Sequence, residues 1–183
     1  MFNSTDAYWS HPSEEAPRTE RVFTGIKTYV KDLSKLLFVV IKSWNDNVVL
    51  YEYNDSLEQI VSTSWLSLEP SDAKKHKNDG NSSLRSELNA GEEMLFGCTI
   101  KVVEGNRFLL TINQEQLSSR VFELVMDSNG NPAVIGNING ITCRIEYAYV
   151  HMKKGIIPEA DFMNFYGKSL KDGTDVVELI RSN

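Results

Sequence analysis

The chain has 183 residues, with 19 Lys and Arg against 25 Asp and Glu for a formal net charge of −6, and it is 41% hydrophobic and 10% aromatic. That length suits one domain, and that apolar share is enough to close a core, which excludes a wholly disordered chain. A net negative chain without a long Lys/Arg run lacks the charge that neutralises phosphates, so nucleic-acid binding and polybasic docking to anionic lipid are both disfavoured.

The first segment, residues 1–21, is polar, contains prolines and shows no periodicity, so it reads as an extended arm ahead of a single domain over 22–183. Tyr8 and Trp9 are aromatic anchors within it, suited to a groove on the same subunit or a neighbour. The arm has neither the basic stretch nor the apolar stretch of a secretory signal. The longest apolar run, Leu36 to Ile41, is far short of the roughly 20 residues a membrane span requires. Cys98 and Cys143 lie in apolar strand-like runs, as free thiols of a reducing compartment do, so a cytoplasmic location is expected.

From Thr24, a suitable N-cap, Ile26, Tyr29, Val30 and Leu33 recur at helical spacing and predict a short amphipathic helix. Leu36 to Ile41 is apolar on both faces and predicts a strand buried on both sides. The turn Asn45-Asp46-Asn47 leads to its hairpin partner, Val48 to Tyr53, and a third strand over 60–68 holds Trp65. Residues 70–83 are almost devoid of apolar side chains and predict a solvated loop whose basic cluster, Lys74 to Lys77 with His76 inside it, is a solubilising tip. Asn89 followed by Glu92 predicts a capping box on a short helix that Gly97 ends.

From Phe96 onward the pattern alternates. Hairpins are predicted about Glu104-Gly105-Asn106, about Asp127 to Pro132 and at Asn139-Gly140, with a long strand over 141–152 and a last pair joined by Lys171-Asp172-Gly173. The sum is an all-β fold, an antiparallel β-sandwich or barrel of about nine short strands with one or two short helices.

No nucleophile motif, Walker sequence, dinucleotide fingerprint or His-based metal constellation is present, so no enzyme activity, cofactor or metal is predicted. Asp127, Asn129 and Asn131 alternate like oxygen ligands, but the Glu that would complete a calcium loop is missing, and a plain turn is the better reading. The most suggestive polar set is Tyr51, Glu52, Arg144, Glu146, Tyr147 and Tyr149, with His151 at its end. Strict alternation along 141–151 puts Ile141, Cys143, Ile145, Tyr147, Tyr149 and His151 on one face and Arg144 and Glu146 on the other. Such a face either binds a small ligand or is a solvated surface with a cross-strand ion pair.

Over about residues 35–180 the chain resembles an uncharacterised family, the domain of unknown function 4833. The matching pieces are Leu37-Phe38 running into Asn45-x-Asn47-x-Val49-x-Tyr51-Glu52, the Trp65 strand, the Leu88-to-Gly97 helix, Asn139-Gly140 and its long strand, Gly155, Pro158, Asp161, Tyr166-Gly167, Gly173 and Glu178. Most relatives in that family are small exported β-proteins. The resemblance implies a β fold and no particular activity. The expected function is therefore that of a non-enzymatic β-protein working through protein contacts, above all with copies of itself as a homo-oligomer. The alternative is a domain that binds a small molecule, lipid or glycan.

Overall fold

The computed structural model describes residues 12–43, 47–56, 58–68, 85–103, 107–153 and 159–182. Tyr8 and Trp9, the loop over 70–83 and the turns at 45–46 and 104–106 lie outside the described residues. The elements are helix α1 (Pro12–Tyr29), a single 3-10 turn (Leu33–Lys35), β1 (Leu36–Lys42), β2 (Asn47–Tyr53), β3 (Val61–Ser67), β4 (Arg85–Glu87), helix α2 (Ala90–Phe96), β5 (Cys98–Val103), β6 (Arg107–Ile112), β7 (Phe122–Met126), β8 (Pro132–Ile138), β9 (Ile141–Lys153), β10 (Glu159–Ser169) and β11 (Asp175–Arg181).

All eleven strands belong to one sheet. Nine of them run in the order β4-β3-β2-β1-β9-β8-β7-β6-β5 and curl into a half-barrel. β10 and β11 branch from β9. The fold is thus mainly β, in the open-barrel form rather than as two stacked sheets. β4 is the strand that alternation does not reveal, because three residues carry no period.

β9 organises the sheet. Its first residues pair antiparallel with β8, from Ile138↔Ile141 to Ile135↔Arg144, and its second half pairs parallel with β1, from Val39↔Tyr147 to Lys42↔Val150. Its other edge pairs with β10 along nearly its whole length. Opposite β10 the register slips between Tyr166↔Tyr147 and Gly167↔Ile145, which leaves Glu146 as an extra residue. An inserted residue in one strand reverses which face the following side chains take. Cys143 and Ile145 therefore join Ala148 and Val150 in the core inside the half-barrel, whereas Tyr147, Tyr149 and His151 emerge on the convex face. The single aromatic face expected for Cys143 through His151 is corrected accordingly.

Two apolar clusters result. The larger fills the concave side with Phe38, Tyr51, Trp65, Leu110, Phe122, Val134, Ile145, Phe165 and their neighbours. The smaller lies on the convex side, where Val22, Ile26 and Val30 of α1 cover Val39, Ile41, Val48, Leu50, Leu66 and Tyr149. β1 and β2 are therefore buried on both faces, as their continuous apolar pattern requires.

Residues 12–21 are helical, not an extended arm, and α1 begins a dozen residues before Thr24. The Thr24 hydroxyl donates to the Glu20 carbonyl at 2.9 Å, the mid-helix habit of a threonine, so it is not an N-cap. Pro17 and the polar first turns hide this helix from a local pattern, because tertiary contacts stabilise it.

Glycine at 167 is required by a close approach. A Cβ there would lie 2.5 Å from the Arg144 carbonyl oxygen and 2.7 Å from Ile138 Cδ1, beside the bulge. Gly167→Ala is expected to destabilise the fold by about 1–3 kcal/mol, since a backbone oxygen cannot yield as a side chain can. A lowered urea midpoint at unchanged slope is the readout.

Candidate functional site

The convex side holds a buried polar cluster. Glu15, at the end of the first turn of α1, is 8% exposed, and its carboxylate accepts hydrogen bonds from the Asn164 amide at 2.8 Å and from the Tyr166 hydroxyl. His151 Nε2 lies 3.2 Å from the same carboxylate, and His151 is completely buried. A carboxylate facing Nε2 favours the tautomer protonated there, and the Asn164 amide nitrogen stands 3.3 Å from the same Nε2. Burial by itself would raise the Glu15 carboxyl, but the hydrogen bonds from His151, Tyr166 and Asn164 outweigh it and hold its pKa below the ordinary glutamate value. Burial and the adjacent carboxylate push the Tyr166 phenol well up. Aromatic rings pack the cluster closed: Phe162 stacks on His151 at 4.0 Å and Tyr147 on Tyr166 at 4.4 Å, while Phe23 of α1 meets Tyr147 edge-on at 5.4 Å. With its donors satisfied and covered by α1, this cluster is a clamp between helix and sheet.

The second polar region is a cleft of about 560 Å³ at the end of the half-barrel. It is walled by Lys42, Phe96, Gln114, Val150, Met152 and Asp161, with Glu115, Lys153, Glu159 and Ser182 around them. Lys42 ends β1 on the concave side, where its ammonium sits over Trp65 at 4.2 Å from the ring centroid and over Phe96 at 5.7 Å. An ammonium over two aromatic faces is held there electrostatically. Trp65 and Phe96 meet edge-on at 5.4 Å, and the Tyr51 hydroxyl donates to the Phe96 carbonyl at 2.5 Å, which anchors the C-terminal end of α2. The capping box that starts α2 is present, with Glu92 N–H donating to Asn89 Oδ1 at 3.0 Å and Asn89 N–H to Glu92 Oε2 at 2.8 Å.

Asp161 reaches the cleft through a second bulge. The register of β10 against β9 slips between Ala160↔Met152 and Phe162↔His151, leaving Asp161 as the extra residue with its carboxylate 3.8 Å from the Lys153 ammonium. Bulges re-aim side chains in this way beside functional sites. On the third wall the buried amides of Gln114 and Gln116 bond to each other, Gln116 donates to the Ser182 hydroxyl at 2.5 Å, and Ser182 donates to the Ala160 carbonyl at 2.9 Å.

The polar set singled out in the sequence is dispersed. Tyr51 is wholly buried in the concave core, stacked on Phe38 at 4.2 Å, and burial raises its phenol. Glu52 lies on the other face, where it pairs with Arg85, which also donates to Ser64 at 2.8 Å; together they border a second cleft of about 550 Å³ with Tyr29, Tyr53 and Lys35. Arg144 is exposed, 4.0 Å from Asp127, and Glu146 is the bulge residue. Tyr147 and Tyr149 lie beneath α1, and burial pushes the Tyr147 phenol up to about 12. Tyr51 and Glu52 are neighbours on one strand and so take opposite faces, while the bulge at Glu146 turns Tyr147 and Tyr149 to the side away from Ile145.

The Asp127 loop is a plain turn, its carboxylate Oδ1 accepting the Asn129 and Asn131 amides at 2.8 and 2.9 Å. Among the described residues, no cluster of three His, Cys, Asp or Glu side chains has the arrangement of a metal site, and no helix is long and apolar enough to cross a membrane. Pattern reading missed Glu15, Asn164, Lys42 and Gln114. Only Lys42 left a local trace, as the charge that ends an otherwise apolar strand.

A family model described as a domain of unknown function, DUF4833, matches residues 38–179, while no curated protein and no solved structure matches the chain. The matched span begins after α1, so Glu15 stands outside it, and it includes every residue named for the end cleft except Ser182. With β2 to β10 wholly inside the match and β1 and β11 nearly so, the chain belongs to the DUF4833 family.

Proposed function

We propose that this protein is a non-enzymatic binding domain whose end cleft takes a small, uncharged, polyhydroxylated ligand, a sugar or short glycan. The observation that carries the reading is the composition of the cleft. Two cations, Lys42 and Lys153, face three carboxylates, Glu115, Glu159 and Asp161, beside an apolar wall of Phe96, Val150 and Met152. Three carboxylates around the opening oppose a phosphate-rich ligand, and a concave side already filled by the core offers no tunnel for an acyl chain. Dense donors and acceptors of nearly balanced charge on an apolar wall suit hydroxyl groups on a sugar ring, and the volume falls within the usual range of ligand clefts.

The buried histidine and the less exposed thiol are not poised to serve the cleft. His151 is sealed beneath α1, and burial together with the charge of Glu93 pushes the Cys98 thiol up to about 12, far from a working nucleophile. The test is an array of neutral oligosaccharides probed with the folded chain, followed by calorimetric titration of those that bind. Lys42→Ala and Asp161→Asn are each expected to weaken binding about 10-fold or more, the cost of a lost hydrogen bond involving a charged group. Absence of any glycan ligand, or affinity indifferent to both substitutions, overturns the reading.

A further inference from the structure

Eleven strands in an open sheet leave edges, and the branch formed by β10 and β11 ends in the longest apolar one. Among the described residues β11 pairs with β10 alone, from Asp175↔Lys168 to Arg181↔Phe162. Its convex face carries Asp175, Val177, Leu179 and Arg181, all exposed, with Val177 at 49% and Leu179 at 51%. Its concave face is already engaged. Val176 is buried, and the Glu178 carboxylate accepts a fork from Arg120 and the backbone N–H of Asn139 at 2.7 Å. Natural sheets guard such edges with charges, prolines or a covering segment, and a seven-residue strand with an apolar stripe is otherwise a template for another strand.

The strand's own sequence says which strand fits. In an antiparallel pair of identical strands, a two-fold axis perpendicular to the sheet keeps each face on its own side, so residues of like parity stand opposite each other. Centred on Glu178, that symmetry sets Asp175 opposite Arg181 of the second copy, Val177 opposite Leu179, and the same two pairs again in reverse. Shifting the centre to Val177 sets Asp175 against Leu179, and shifting it to Leu179 sets Val177 against Arg181, so either neighbouring register opposes charge to hydrocarbon. Facing apolar and opposite-charge pairs stabilise antiparallel strands, and only the register centred on Glu178 supplies both. The two Glu178 side chains that meet at the axis are each neutralised by their own Arg120. Asp175 already receives Lys168 of the same chain, and its carboxylate has a second oxygen for an arginine.

We propose that β11 is a homodimerisation edge, pairing antiparallel with β11 of a second copy about a two-fold axis at Glu178. The sheets of two subunits then become continuous, and the stripe of Val177 and Leu179 is shared between them. This holds independently of what the end cleft binds.

Sedimentation of the full chain across a concentration series is expected to show a monomer–dimer equilibrium. Val177→Lys is expected to abolish it while leaving the thermal melt of the monomer unchanged, since the residue is exposed there. Asp175→Arg and Arg181→Asp are each expected to weaken the dimer, and the double swap to restore it. Register is read by oxidation. A mixture of Val177→Cys and Leu179→Cys chains is expected to form the mixed disulfide in excess over either variant alone, because directly opposed Cβ atoms lie within bridging distance and diagonal ones do not. A chain monomeric at every concentration overturns the proposal, as does a dimer indifferent to Val177→Lys, or a cross-link formed as readily by Val177→Cys alone.

Discussion

Replacing Glu15 by alanine is expected to cost about 2–4 kcal/mol and to release the first turns of α1, although the substituted residue lies outside the hydrophobic core. The size follows from what remains behind. Asn164, Tyr166 and His151 all direct polar atoms at the one carboxylate, and His151 has no exposure to water with which to replace it. Removing one member of a buried charged network leaves the others desolvated and unsatisfied, which is costlier than removing the whole set. Glu15→Gln keeps the shape and one acceptor oxygen, so its loss is expected to be smaller. The pH dependence has a definite sign. The folded-state pKa of Glu15 lies below its ordinary value of 4.5, so its stabilisation is complete above that value and is lost as pH falls through the folded pKa. The stability gap between wild type and Glu15→Gln is therefore expected to close as pH drops below about 4.5. Denaturation at a series of pH values reads this gap, and a gap that widens on acidification contradicts the assignment.

Phe165→Ala is expected to cost about 3–5 kcal/mol, among the most damaging single changes to this fold. Phe165 is wholly buried on the concave face of β10, with Phe122 edge-on at 5.9 Å and the Arg120 guanidinium 6.0 Å from its ring centre. Its loss opens a void where β10, β7 and the Arg120 segment meet, and main-chain elements cannot close around it without shifting the β9–β10 ladder. The neighbouring exposed strand supplies the contrast: Leu179→Ala on β11 is expected to change monomer stability by no more than about 0.5 kcal/mol. Urea denaturation at a concentration where the chain is monomeric compares the two. Equal losses contradict the facing of β10 and β11 described above.

What was legible in the sequence was local. The continuous apolar run of β1 announced burial on both faces. Asn139-Gly140 announced its hairpin, and both residues take the positive φ that the tight turn demands, 51° and 81°. Asn89 and Glu92 announced a capping box that the backbone completes. What escaped was set by contacts distant in sequence. The bulge at Glu146 adds one residue without disturbing any local pattern, yet it turns Tyr147, Tyr149 and His151 to the opposite side from Ile145. The first half of α1, with Pro17 and few apolar residues, is held through Glu15 by side chains roughly 140 residues away, which no window on the N-terminus contains. The cleft is invisible for the same reason: Lys42, Phe96, Gln114 and Asp161 come from four separate segments and meet only when the sheet curls.

The central functional claim is that the end cleft is the binding surface, and amide chemical-shift mapping during titration with a neutral oligosaccharide from the array tests it most directly. Shifts are predicted at Lys42, Phe96, Met152 and Asp161, with the amides around Glu15 and along β11 unmoved. Shifts confined to the Glu52–Arg85 face, or none at the cleft while ligand binds, contradict the claim.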